Sequence, residues 1–211
     1  LLTAEYAVPQ DRIAIAVPGT DPASRARGTG TPLQLLAVGS VIPRKAHDSL
    51  VRALAPLRHR DWRLSIVGAL DHRSALAALQ GAIEQSGLAG RVTLAGPASG
   101  SEMASFYAAA DLFVTASLYE GYGMALAEAL ARGLPIVCTT GGASSQTVPD
   151  AAALKVAPGD ERALSVALAR ALDDPALLRR LGDAAWAAAR SLARWEDTAR
   201  IVAGVIRGIA P

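Results

Sequence analysis

Apolar and polar positions alternate between two textures along this chain. Short, nearly continuous apolar runs recur at 33–38, 62–67, 91–95, 111–116, 136–139 and 153–156. Between them lie longer stretches whose apolar residues repeat at helical spacing, as Leu50, Ala53, Leu54 and Leu57 do within 46–57. A short apolar run bounded by Gly and Pro fits a strand buried on both faces. The pattern therefore predicts strands at Leu33–Val38, Trp62–Val67, Arg91–Ala95, Asp111–Ala116, Ile136–Thr139 and Ala153–Val156. It predicts helices at Ala46–Leu57, Ser74–Ser86, Ser101–Ala109, Tyr122–Arg132, Glu161–Leu172, Pro175–Leu192 and Trp195–Ile209. Ahead of these, Arg12–Val17 alternates like a short strand closed by Pro18-Gly19. Residues 21–32, rich in Pro, Ser, Arg, Gly and Thr, read as a linker or long loop.

Strands alternating with helices imply an α/β fold with a doubly wound, parallel, six-stranded, Rossmann-like sheet. If the strand order is 3-2-1-4-5-6, the first and fourth strands are neighbours at the topological switch point. Ligands bind there, at the carboxyl ends of the strands. The loops that meet at that point are Gly39–Lys45 and Ser117–Gly123. The second leads into the most distinctive stretch of the chain, Tyr119–Pro135. In it Gly121 and Gly123 free the backbone for a tight turn. A helix rich in Ala, Leu, Met and Glu follows, stopped by Gly133 and Pro135. A strand, a Gly-rich loop and a helix N-terminus form an anion site, because unpaired N–H groups and the helix dipole point at the ligand. Glu120 sits at the mouth of the loop and Glu128 two turns into the helix. Only two lysines occur in the chain, Lys45 and Lys155, so Lys45 in the first loop stands out.

Glu120-Gly121-Tyr122-Gly123 with Glu128-Ala129, Gly133 and Pro135 resembles the E-G-F-G-x4-E-A-x3-G-x-P signature of retaining glycosyltransferases of family 4. Those enzymes pair two Rossmann-like domains in the GT-B fold, and the signature belongs to the second, donor-binding one. The resemblance covers nearly the whole chain. It implies a substrate that is a nucleoside-diphosphate sugar, with no separate cofactor. Gly39-Ser40-Val41-Ile42-Pro43-Arg44-Lys45 is similar to the family's G-R-L-x-x-x-K-G loop, which holds the donor diphosphate. Lys45 matches the lysine. Ser40 stands where the family has arginine and Ala46 where it has glycine, and Arg44 is the candidate to supply the missing charge.

The resemblance further implies that Glu128 accepts hydrogen bonds from the ribose hydroxyls and that Glu120 contacts the donor sugar near the reacting carbon. The amides of Gly121, Tyr122, Gly123 and Met124 would bind sugar and phosphate oxygens. Ser117 matches a serine of the pattern P-S-x-x-E, with Ala116 in place of proline. Backbone groups at Leu94, Gly96 and Pro97 would read the nucleobase, and Gly141 and Gly142 would approach the phosphates. Val8-Pro9, Arg12-Ile13 and Pro18-Gly19-x-Asp21 resemble the crossover between the two domains, with Pro18 and Thr20 departing from the usual Asn-Gly-Val-Asp. On this reading 1–32 is a crossover segment and linker from a missing N-terminal domain, and 33–211 is the nucleotide-sugar-binding domain.

Plainer readings stand beside these. Glu128 could be an ordinary surface carboxylate, Glu120 a cap for the helix that follows, and Arg44-Lys45 a basic loop end. His47, His59 and His72 read as surface or helix-end residues. The tryptophans read as packing.

Composition narrows the field. No apolar run reaches the ~20 residues that span a bilayer. The start, Leu1-Leu2-Thr3-Ala4-Glu5, has neither signal-peptide character nor an initiator Met, so a piece of a longer chain is expected. One cysteine, Cys138, excludes an internal disulfide framework, fits a reducing, cytoplasmic setting, and reads as a core thiol. A net charge of +2, with no basic stripe or aromatic platform, argues against nucleic acid as a partner. The acceptor could be a sugar, a lipid or a small molecule, and peripheral contact of the longer protein with a membrane stays open. A non-catalytic binding or assembly module with the same fold is the alternative, favoured by the departures at Ser40, Ala46 and Pro18. A sugar-nucleotide 2-epimerase ranks below both, because its extra acid–base groups cannot be placed.

No Asp-x-Asp and no His or Cys ligand spacing occurs, so the cations of the site are expected from side chains rather than a metal. Full-length enzyme in excess chelator should keep most of its rate. Loss of transfer that magnesium or manganese restores would overturn the assignment.

Overall fold

A computed structural model describes residues 2–209; Leu1, Ala210 and Pro211, at the outer limits of the two expected segments, lie outside the described residues. A short helix, α1 (Leu2–Tyr6), precedes an extended stretch that reaches β1 (Leu33–Val38). Then follow α2 (His47–Leu54), β2 (Trp62–Val67), α3 (Arg73–Gln85), β3 (Val92–Gly96), α4 (Gly100–Ala109) and β4 (Leu112–Val114). The second half runs α5 (Met124–Ala131), β5 (Ile136–Thr139), α6 (Ser144–Thr147), β6 (Ala153–Val156), α7 (Glu161–Asp173), α8 (Pro175–Ala188) and α9 (Trp195–Ile209). The six strands form one parallel sheet in the order β3-β2-β1-β4-β5-β6, as expected.

Side chains alternate between the two faces of the sheet. Leu35 and Ala37 of β1 enter a layer with Leu50 and Leu54 of α2, Leu79 of α3 and Leu164 and Leu168 of α7. Leu36 enters the opposite layer with Tyr107 of α4, Leu126 and Leu130 of α5 and Ala185 of α8. Both faces are covered, so β4 and β5 are buried throughout, while β2 and β3 expose Arg63 and Thr93. Helix starts are marked locally. Ser99 and Glu102 form a capping box on α4, with the Ser99 amide 2.8 Å from Glu102 Oε2. Asp160 and Asp174 cap α7 and α8 by accepting the Ala163 and Leu177 amides, both at 2.8 Å.

One expectation for the N-terminal stretch fails. Arg12–Val17 forms no strand: after a single 3-10 turn at Gln10–Arg12 it is extended but unpaired. Its neighbour is α9, not a sheet edge. Thr198 Oγ1 donates to Val17 O at 2.6 Å and the Thr20 amide to Ala193 O at 2.8 Å, and Ile15 stays 75% exposed. Residues 21–32 lack regular structure, as expected of a long loop, and they are docked on the domain. The Ala26 amide donates to Arg132 O at 2.9 Å, and the Arg27 and Gly28 amides donate to Ala108 O at 3.2 Å. The helix α6 was not foreseen, since Ser144-Ser145-Gln146-Thr147 has no apolar period. Trp62 is fully buried, with its indole N–H donating to Leu57 O at 2.9 Å, whereas Trp195 is 45% exposed and packs less than expected.

Asp111 is the anchor of the docked segment. Its carboxylate accepts the amides of Gln34 at 2.8 Å and of Thr29 and Gly30 at 3.1 Å. Asp111→Ala should cost about 2–3 kcal/mol, the worth of hydrogen bonds to a partly exposed charge. Asp111→Asn should cost less. Urea unfolding measures both, and an unchanged midpoint for Asp111→Ala would show that the segment is held by other contacts.

Candidate functional site

The site forms where β1 and β4 release their chains side by side. The loop after β1 runs from Gly39 through a 3-10 turn at Pro43–Lys45 into α2. The loop after β4 runs from Thr115 to Gly123, the residue that caps α5 in the left-handed conformation. The two loops are tied by a backbone bond from the Leu118 amide to Arg44 O at 2.8 Å. Side chains complete the junction. Lys45 Nζ donates to Glu120 Oε1 at 2.6 Å, Arg44 Nη1 lies 3.6 Å from Glu120 Oε2, and Arg44 also donates to Tyr119 O. Lys45 is no loose loop end: its side chain is 14% exposed and lies over Gly39, whose position a Cβ would crowd against Lys45 Cε at 3.0 Å. Glu120 is 7% exposed and does not cap α5.

Burial is the largest influence on Glu120 and opposes its ionisation. The bond from Lys45, the Ser117 side chain and the nearby charges of Lys45 and Arg44 together outweigh it, so the carboxyl sits below its ordinary value. Ser117 itself is buried, sharing a 2.9 Å bond with Thr115 Oγ1 and accepting Thr139 Oγ1 at its carbonyl. Among the described residues, the amides of Gly121, Tyr122, Gly123 and Met124 donate to no group of the chain. Two cations, four unengaged amides and a helix N-terminus thus surround one carboxylate. That arrangement can hold an anion of more than one charge.

Backbone fit sets where these loops lie. Gly142, at φ +66°, lies so close to Glu120 that a Cβ would fall 2.2 Å from Glu120 O. The Glu120 amide donates to Gly141 O at 3.1 Å and the Ala143 amide to Glu120 O at 2.8 Å. The backbone of Gly141 and Gly142, the glycines expected to approach the phosphates, packs against the Glu120 backbone. Gly68, at the end of β2, was not singled out by the sequence. A Cβ on it would meet Gly39 O at 2.2 Å, and its amide donates to Gly96 O at 2.9 Å. It links the β3 loop of Leu94, Gly96 and Pro97 to the β1 loop of Gly39 and Ser40. Of the motif glycines, Gly123 (φ +86°) and Gly133 (φ +64°) use a left-handed backbone; Gly121 is exposed, with open space where a Cβ would stand.

Glu128 does not join the Lys45–Glu120 pair. It is half-buried on α5 and faces α4, where Tyr107 Oη donates to its Oε2 at 2.8 Å. Ala46, in the place of the family glycine, adopts φ +48°, ψ 43°, a left-handed geometry that costs a non-glycine residue roughly 1–2 kcal/mol. His47 corrects the expectation of a surface histidine. It begins α2 as a helix-end residue, but it is 4% exposed, with Nε2 3.2 Å from Gly39 O and Nδ1 without a partner. Cys138 is fully buried, and burial pushes its thiol up to about 12, which fits a core thiol. Among the described residues no group of three His, Cys, Asp or Glu could hold a metal, and no helix is long and apolar enough to cross a membrane.

A six-stranded parallel sheet in the order β3-β2-β1-β4-β5-β6, with helices on both faces, defines a doubly wound α/β domain. Residues 32–174 match the profile described as Glycosyl transferases group 1, and the chain belongs to that family. The MMP alpha-(1->4)-mannosyltransferase of Mycolicibacterium hassiacum is 34% identical over 170 residues, covering 79% of this chain and 41% of that protein. The sucrose-phosphate synthase of Thermosynechococcus elongatus superposes with a TM-score of 0.76 at 31% identity, covering 84% of this chain and 45% of the other. Anabaena Alr3699/HepE, solved in complex with UDP and glucose, gives a TM-score of 0.75 at 21% identity over 84% of this chain and 48% of its own, a likeness of fold. The chain spans less than half the length of each of these three.

The buried His47 generates a pH prediction. Burial is the main cause that lowers it from 6.5 to about 4. As pH falls through that window the unfolded chain takes up a proton that the folded chain refuses, so stability drops. The loss should approach about 3 kcal/mol, at about 1.4 kcal/mol per pH unit. Denaturant unfolding between pH 7 and pH 4 should show a shallower decline for His47→Gln than for wild type. Parallel curves would show that His47 titrates normally.

Proposed function

We propose that the chain is the donor-binding half of a retaining glycosyltransferase of family 4, working in the cytoplasm. The donor is a nucleoside-diphosphate sugar and the acceptor a sugar, a lipid or another small molecule. The observation that carries the reading is the meeting of Lys45, Arg44, Glu120 and the unengaged amides of Gly121–Met124 at the switch point of a group 1 fold. The mannosyl-transfer activity in the name of the M. hassiacum relative and the UDP and glucose bound by HepE support it.

In this reading the diphosphate lies between the two cations and the α5 amides. Lys45 exchanges its carboxylate partner for phosphate oxygens, and Glu120 is released to accept bonds from the sugar hydroxyls. The exposed, open position at Gly121 gives the sugar room. Glu128 takes the ribose, and the backbone at Leu94, Gly96 and Pro97 meets the base. As the bond from the anomeric carbon to phosphate breaks, negative charge grows on the departing oxygen. Lys45, Arg44 and the amides then hold that charge more strongly than they hold the ground state. The acceptor hydroxyl attacks from the face the phosphate leaves, passing its proton to that phosphate, so the anomeric configuration is kept. Residues 1–32 are the crossover from an N-terminal half that supplies the acceptor site, and this half alone transfers nothing. The cations come from side chains, without a metal.

Lys45→Ala should weaken nucleoside-diphosphate binding about ten- to a hundredfold, the loss of one charged hydrogen bond. Monophosphate binding should fall less, and in the full-length enzyme turnover should fall more than binding. Isothermal titration with both nucleotides measures the first two effects. Thermal unfolding must accompany it, because the variant leaves Glu120 without its closest partner. Arg44→Ala should behave alike if it replaces the family arginine. Wild-type binding and turnover in both variants would make the loop a basic surface turn and favour a non-catalytic module.

A further inference from the structure

Tyr107 was not among the residues the sequence singled out, yet it is the side chain that holds Glu128. It is fully buried on α4, one turn from its end. Its ring stacks with Phe113 of β4 at 6.2 Å between centroids and 13° between planes, and the Arg132 guanidinium lies 4.3 Å over the ring. Arg132 also donates to the backbone O of Glu128 at 3.0 Å, across one turn at the end of α5. The ring is therefore fixed by contacts that do not involve its hydroxyl. That hydroxyl donates to Glu128 Oε2 at 2.8 Å and lies 3.3 Å from Ala125 O. Burial, then the neighbouring Glu128 charge, holds the phenol well above its ordinary value, so it stays a donor. Among the described residues Glu128 Oε1 has no partner.

From this geometry we infer that Tyr107 is a positioning residue for ribose recognition: it pins one oxygen of Glu128 and leaves the other presented to the ribose hydroxyls. The inference rests on the proposed role of Glu128. A glutamate on an exposed helix samples several rotamers, and a rotamer-rich side chain loses affinity when it must be ordered by the ligand itself. A donor from a neighbouring helix, held by ring packing, removes that cost in advance. The carboxylate then needs no rearrangement to meet two vicinal hydroxyls.

The test uses Tyr107→Phe, which keeps the ring, its stacking on Phe113 and its contact with Arg132. Wild-type and variant full-length protein are titrated with uridine, guanosine and adenosine diphosphates, and then with the 2′,3′-dideoxy form of whichever binds. Wild type should prefer the ribonucleotide. In Tyr107→Phe ribonucleotide affinity should fall about five- to tenfold, the worth of one ordered hydrogen bond, while dideoxynucleotide affinity stays the same. A merely structural role would lower both equally and overturn the inference, as would unchanged ribonucleotide binding. Absence of any ribose preference in wild type would instead strike the role of Glu128 itself. Should Tyr107→Phe fold poorly, Glu128→Gln serves. Its side-chain carbonyl still accepts the Tyr107 hydroxyl while an amide replaces the free oxygen, so the ribose preference should vanish with the fold intact. A preference kept in full by Glu128→Gln would strike the role of Glu128, and the inference that rests on it.

Discussion

The arrangement of the site depends on one ion pair, Lys45 with Glu120, at the seam between β1 and β4. Both partners are largely out of water, so each would be costly alone. Together they join loops that are also linked by the Leu118 amide to Arg44 O and by the Arg44 side chain to Tyr119 O. Removing either partner leaves a charge facing low dielectric, and Arg44, at 3.6 Å and more exposed, compensates only in part. Loop position, Glu120 ionisation and the orientation of the α5 amides therefore stand or fall together. A parallel sheet makes this economical, because its switch point already brings two loops and a helix N-terminus to one spot.

The fold was legible because the sheet is buried on both faces. Such strands read as short apolar runs, and Leu33–Val38, Trp62–Val67, Ile136–Thr139 and Ala153–Val156 appear where the runs predict them. The same rule misled at Arg12–Val17. Alternation there has the period of a strand, but a strand needs a neighbour with free backbone groups, and this segment lies against α9. The motif also placed Lys45, Arg44, Glu120 and the α5 amides in one crevice. Sequence could not show that Gly141 and Gly142 pack against the Glu120 backbone, nor that His47 is buried. Both depend on which loop lies across which, and spacing along the chain carries no such information. Tyr107 was hidden for a similar reason, since its partner is twenty-one positions away on another helix.

The departures from the family pattern have unequal physical weight. Ala46 occupies a left-handed position that glycine would take without strain. Its methyl is nonetheless buried in the layer of α2, 5% exposed, and that burial offsets part of the backbone cost. The departure is thus absorbed locally and leaves Lys45 and His47 in place. Ser40 is different, since no short polar side chain can replace a guanidinium. Arg44, the candidate to act for it, contacts Tyr119 and Glu120.

Positioning and chemistry are divided between different atoms of the chain. Glycines at 68 and 142 allow backbone contacts so close that a single Cβ would part the loops, and they carry no side chain that could react. Tyr107, Phe113 and Arg132 form a rigid buttress on the far side of α5. Side chains at the switch point are held by one another or by a neighbour: Lys45 by Glu120, and Glu128 by Tyr107. Preorganisation of this kind lowers the ordering cost of binding.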